Sequence, residues 1–98
     1  MFVIHVNYKK QLSEVDRFIP EHRAFLARHY AAGTFLLSGP QQPRTGGVII
    51  ARGCTRAVLE ALLQEDPFHR EGIADYVITE FLPNRSAPDL AHFIELQA

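Results

Sequence analysis

Two short apolar runs at the middle of the chain, Thr34-Phe35-Leu36-Leu37-Ser38 and Gly47-Val48-Ile49-Ile50-Ala51, decide the fold. Each is rich in β-branched and bulky residues, and Gly39-Pro40 breaks the first. Residues 41–46 (Gln41 to Gly46) then carry the chain round to the second, so the pair reads as a β-hairpin with a fairly long loop. Upstream, Pro20 suits the first turn of a helix, where its missing N–H costs nothing. That helix runs through His22, Phe25, Leu26, His29 and Tyr30 and stops at Gly33. Downstream, Thr55 is placed to cap a second helix, with Val58, Leu59, Leu62 and Leu63 on one side.

One step further out lie the remaining strands. Phe2 to Tyr8 alternates, with Phe2, Ile4, Val6 and Tyr8 on one face. Ile73 to Phe81 alternates likewise, with Ala74, Tyr76, Ile78 and Glu80 on one of its faces. Ser13 is placed to cap a short turn over Glu14, Val15 and Asp16, and Asp66-Pro67 reads as a cap and first helical residue of one turn closed by Gly72. The order is β-α-β-β-α-β: an α+β fold of the split βαβ, ferredoxin-like kind with a four-stranded antiparallel sheet. Both helices cover one face, and the other is apolar enough to suggest a partner. Two such sheets facing each other would make an α+β dimer. Pro83 to Pro88 ends the main fold, giving a domain at 1–83 and a tail at 84–98. Leu90, Phe93, Ile94 and Leu96 fit either a docking helix or a strand laid across a dimer.

The chain has 98 residues, one domain's worth, with 47% hydrophobic and 10% aromatic residues. A monomer this small buries only about 60–65% of its unfolded surface, and dimerisation is a natural remedy. Ten basic against eleven acidic residues give a net charge of −1, which argues against nucleic acid or acidic membranes as partners. The single cysteine, Cys54, excludes an internal disulfide and fits a reducing compartment. No apolar run approaches the roughly 20 residues of a membrane span, and Met1 leads straight into a strand rather than a secretory signal. A cytoplasmic, non-membrane protein is expected.

Among residues able to carry chemistry, His22 stands out. At about 100° per residue, His22 and His29 fall within the arc of Phe18, Phe25 and Leu26, where an imidazole loses water and needs a hydrogen-bond partner. Such a ring is either a satisfied core histidine or a proton carrier suited to neutral pH. Asp66 is the natural carboxylate to hold it, fixing the tautomer and stabilising the imidazolium, or it is a helix cap; one oxygen for each role would allow both. Ser38 and Gly39 offer a hydroxyl, an N–H and close main-chain approach at the mouth of a pocket, or merely end a strand. Ser38 lacks the G-x-S-x-G surroundings of a nucleophile.

Metal chemistry is not expected. His22 and His29 lie two helical turns, about 10 Å, apart, and Asp66 with His69 is a pair without a third ligand. Cys54 lacks a base and reads as an ordinary thiol. Gly46-Gly47 matches no phosphate-loop pattern, and no RNP-like segment points to RNA. Arg23, Arg28, Arg44 and Arg70 are scattered; any could meet an anionic substrate, and spacing picks none.

Glu21-His22-Arg23, the Gly33-to-Gly39-Pro40 segment and Glu65-Asp66-Pro67-Phe68, in that order and spacing, resemble the YCII-related (YciI-like) family from Phe2 to about Pro83. The resemblance implies the dimeric α+β barrel, related to muconolactone isomerase-like proteins. It also implies a cleft with a His–Asp dyad on His22 and Asp66, and a small polar contact at Ser38. It assigns nothing to His29, His69 or the tail. At least one member resembles a dehydrochlorinase for chlorinated hydroxyquinols. The expected function is therefore cofactor-independent acid–base chemistry, isomerisation or elimination, on a small cyclic or unsaturated substrate. His22 oriented by Asp66 would move the proton, and main-chain N–H groups near Ser38 and Gly39 would steady negative charge. The competing expectation is a non-catalytic homodimer that binds a small ligand or a protein.

Overall fold

Alternation in two segments, apolar runs in two more and apolar helical faces in two produce a single sheet covered on one side. The structure, a computed structural model, describes residues 1–94. Strands β1 (Phe2–Tyr8), β2 (Phe35–Pro40), β3 (Gly46–Ala51) and β4 (Ala74–Glu80) form an antiparallel sheet of order β2-β3-β1-β4. Helices α1 (Leu12–Arg17) and α2 (Ile19–Ala31) connect β1 to β2; α3 (Arg56–Leu63) and α4 (Pro67–Arg70) connect β3 to β4. This is the ferredoxin-like β-α-β-β-α-β topology with four antiparallel strands. Within the chain the sheet is open, with β2 and β4 as its edges, and does not close into a barrel.

The core lies between sheet and helices. Phe2, Ile4 and Val6 of β1 and Ile49 and Ala51 of β3 are buried there with Phe25 of α2, Leu59, Leu62 and Leu63 of α3, and Phe68 of α4. The outer face is partly apolar: Leu37 is 63% exposed and Val77 53%. Among the described residues no helix is long and apolar enough to cross a membrane.

Several local expectations are corrected. Ser13 caps nothing: α1 begins at Leu12, and its N-cap Gln11 makes no side-chain bond. Gly39-Pro40 does not end β2, which runs through Pro40, because β2 is an edge strand where a missing N–H need not break a ladder. Ile73 and Phe81 fall just outside β4. Val58 is 52% exposed because the buried stripe of α3 is Leu59, Leu62 and Leu63, nearly a right angle away around the helix. The Thr55 cap does form, its hydroxyl accepting from Val58 N–H at 3.2 Å.

Two glycines are required by geometry. Gly72 closes α4 at φ +64°, a conformation that L side chains rarely adopt. Gly46 lies so close to β1 that a Cβ would fall 1.9 Å from the Val6 carbonyl oxygen. In the tail, Pro88–Phe93 forms a 3₁₀ helix, and the Phe93 ring lies 5.5 Å from the Arg52 guanidinium. Leu96 lies outside the described residues.

Candidate active site

The site begins with a helix cap. Asp66 precedes Pro67 in extended conformation, and its Oδ1 accepts the Phe68 N–H at 3.0 Å, which starts α4. The same Oδ1 lies 2.9 Å from Nδ1 of His22 on α2. Oδ2 accepts the Tyr76 hydroxyl at 2.7 Å. Cap and imidazole therefore share one oxygen, rather than taking one each, because the second is occupied from β4. Asp66 is 0% exposed, and three donors compensate the burial of its charge.

These contacts also set the proton on His22. A carboxylate that already accepts from Phe68 and Tyr76 is an acceptor toward the ring as well, so Nδ1 carries hydrogen and donates it. Tyr76 remains a donor: burial, and then the neighbouring Asp66 charge, pushes its hydroxyl pKa far above the ordinary tyrosine value. The His22 ring is held by its face too, stacked on Phe68 at 4.1 Å and 6°. Its side chain is 14% exposed. With Nδ1 committed to Asp66, Nε2 is the nitrogen left to meet a ligand.

His22 lines a cleft of about 490 Å³ between α2, the ends of β2 and β3, and α1. Ser38 and Gly39 line it as well. Ser38 pairs in register with buried Ile49 on the helix side of the sheet, and its hydroxyl shares a hydrogen bond with Tyr30 of α2. The structure thus brings His22, Asp66, Ser38 and Gly39 to one region, with Asp66 behind His22. The cleft's walls are largely apolar, including Ile19, Leu26 and Phe68, and it also contains Arg23 and Arg44.

His29 is held separately. Its Nε2 lies 3.1 Å from Glu65 Oε1, which Arg28 also meets at 3.4 Å. The His29 hydrogen bond, followed by that from Arg28, holds the Glu65 carboxyl below the usual range. Adjacent Glu65 and Asp66 therefore clamp two histidines a pair of turns apart, and only His22 belongs to the cleft. His69 is exposed and faces the Tyr76 ring at 6.1 Å. Among the described residues no three His, Cys, Asp or Glu side chains converge in a way that could hold a metal ion. Burial raises the Cys54 pKa, as in an ordinary unreactive thiol.

Sequence reading missed Tyr76, Glu65 as the partner of His29, and the Phe68 stack. A signal for Tyr76 was present: a hydroxyl on the inner face between Ala74 and Ile78 needs a buried acceptor.

The YCII-related domain matches residues 1–82 of this sequence. The chain belongs to the YCII-related family. Among solved structures, it is similar to 5-chloro-2-hydroxyhydroquinone dehydrochlorinase from Burkholderia phenoliruptrix AC1100, in complex with 2,5-dihydroxybenzoquinone. The TM-score is 0.70 at 18% identity, covering 82% of this chain and 91% of that one, a likeness of fold. A comparison with curated proteins finds no match. The YCII-related match takes in every residue of the His22–Asp66–Tyr76 cluster and stops before the 3₁₀ helix of the tail.

Proposed function

We propose that this YCII-related protein is a cofactor-independent acid–base enzyme, an isomerase or a dehydrochlorinase-type lyase, acting on a small cyclic or unsaturated substrate. The observation that carries the reading is the 2.9 Å contact between His22 Nδ1 and wholly buried Asp66 at the wall of the cleft. Nε2 takes a proton from an acidic C–H or O–H, and Asp66 stabilises the imidazolium that results. In an isomerisation the proton returns to another atom of the substrate. In an elimination the C–H electron pair becomes a double bond, the C–Cl bond breaks, chloride leaves, and His22 releases its proton to water. Main-chain N–H groups of edge strand β2 near Ser38 and Gly39 steady negative charge on a substrate oxygen.

The working unit in this proposal is a homodimer in the cytoplasm. Two copies apply the apolar outer faces of their open sheets, with Leu37, Ile50 and Val77, to each other and close the dimeric α+β barrel. The tail at 84–98 serves as a docking segment at that junction.

A purely structural role for a buried His–Asp pair is the reading to exclude. Chloride release from chlorinated hydroxyquinols and C–H exchange of unsaturated lactones in D₂O test it, with wild type and His22→Ala side by side. Catalysis requires turnover that falls about 100-fold or more in a folded variant. Equal turnover in the two proteins would remove His22 as the base, and no turnover together with simple loss of stability in the variant would leave a binding module.

A further inference from the structure

We propose that the cleft selects a compact, mostly apolar organic monoanion, such as a cyclic carboxylate, and that Arg23 is the residue that holds its charge. The inference takes that ligand to be the substrate of the acid–base reading, and on that point it rests on it.

The charges of the cleft balance at every residue but one. Asp16, His22, Arg23 and Arg44 are the charged or titratable side chains of the cleft besides Tyr8. Asp16 and Arg44 neutralise each other at 2.6 Å, and the Arg44 guanidinium also lies 6.0 Å from the Tyr8 ring centroid. His22 has spent Nδ1 on Asp66. Arg23 is different. Glu21, two residues before it, is taken by Arg70 at 2.6 Å. Arg17, Arg28 and Arg56 likewise have carboxylates of their own. Among the described residues no acidic side chain pairs with Arg23. The cleft therefore contains one uncompensated, permanently charged guanidinium, one residue from the proposed base.

Specificity follows from that balance. A guanidinium forms paired, charge-assisted hydrogen bonds to a planar carboxylate and gains little from a neutral isostere. The apolar walls, Ile19, Leu26 and Phe68 among them, suit a ring or unsaturated body. A dianion would bring a second charge that no further unpaired cation of the cleft meets.

Benzoate and its neutral isostere benzamide are the probes, titrated into the full chain and followed by amide chemical shifts of residues lining the cleft. Wild type is expected to bind benzoate about tenfold or more tightly, a preference that weakens with salt. Arg23→Gln, at an exposed side chain, is expected to remove the preference, whereas Arg17→Gln, outside the cleft, keeps it. Equal binding of the two probes, an undiminished preference in Arg23→Gln, or no shift of cleft amides up to the solubility of benzoate would each overturn the proposal. His22→Ala separates the two readings. Retained benzoate preference without any His22-dependent turnover sinks the acid–base reading and leaves the anion site. His22-dependent turnover indifferent to Arg23→Gln does the reverse.

Discussion

Replacing Tyr76 by phenylalanine removes one hydroxyl and nothing else. The ring keeps its packing, so no cavity opens and the loss reports the hydrogen bond alone. That bond is 2.7 Å long and ends on a carboxylate with no solvent exposure, so water cannot replace the missing donor. A hydrogen bond to a charged group in such a place contributes about 1.5–3 kcal/mol. In a domain of this size that corresponds to a fall in Tm of roughly 6–24 °C. Urea unfolding of wild type and Tyr76→Phe at neutral pH measures it directly. Tyr30→Phe is the control, because the Tyr30–Ser38 bond is solvent-exposed and should contribute no more than about 0.5 kcal/mol. If Tyr76→Phe costs no more than Tyr30→Phe, Asp66 is not an ionised acceptor dependent on three donors, and the assignment of the His22 proton loses its basis.

Three further outcomes follow from the same geometry. Because the Tyr76 hydroxyl is held protonated in the folded state, stability is fully present below the ordinary tyrosine pKa of about 10 and declines above it by about 1.4 kcal/mol per pH unit; alkaline unfolding curves should show this limb in wild type, and a limb of unchanged slope in Tyr76→Phe would contradict it. Gly46→Ala drives a Cβ against the Val6 carbonyl and should cost about 1–3 kcal/mol, while Gly39→Ala, with nothing within 4 Å, should be near neutral; thermal melts of the pair decide. Cys54, with its pKa raised by burial, should be alkylated more slowly at neutral pH than free cysteine; labelling at the free-cysteine rate would refute that.

Local interactions were legible in the sequence. Asp66-Pro67 as a cap and Thr55 as another depend on contacts two or three residues away, and both form. Alternation placed β1, and two apolar runs around Gly39-Pro40 placed the central hairpin. The strand end at Pro40 was not legible, because a proline stops an inner strand but not an edge strand, and edge position belongs to the sheet as a whole. Periodicity put His22 on an inward face, but its partner is 44 residues away, so the residues alone left Asp66 open between holding the ring and capping a helix, and the family resemblance favoured the pair. Strand alternation put the Tyr76 hydroxyl on the inner face without naming its acceptor, and Glu65 had no local pattern to mark it as a partner of His29. Arg23 resembled every other arginine until the fold showed which of them had carboxylates and which lined the cleft.

The central claim is that ionised Asp66 holds His22 with its proton on Nδ1, leaving Nε2 to exchange protons with a ligand. The ring ¹⁵N shifts of His22, read by NMR above the pH at which the imidazole loses its charge, report the tautomer. The account requires a protonated Nδ1 and a bare Nε2 in wild type, with that preference weakened in Asp66→Asn. A bare Nδ1 in wild type would mean that Asp66 donates to the ring as a neutral acid, and the proposed base would have no carboxylate behind it.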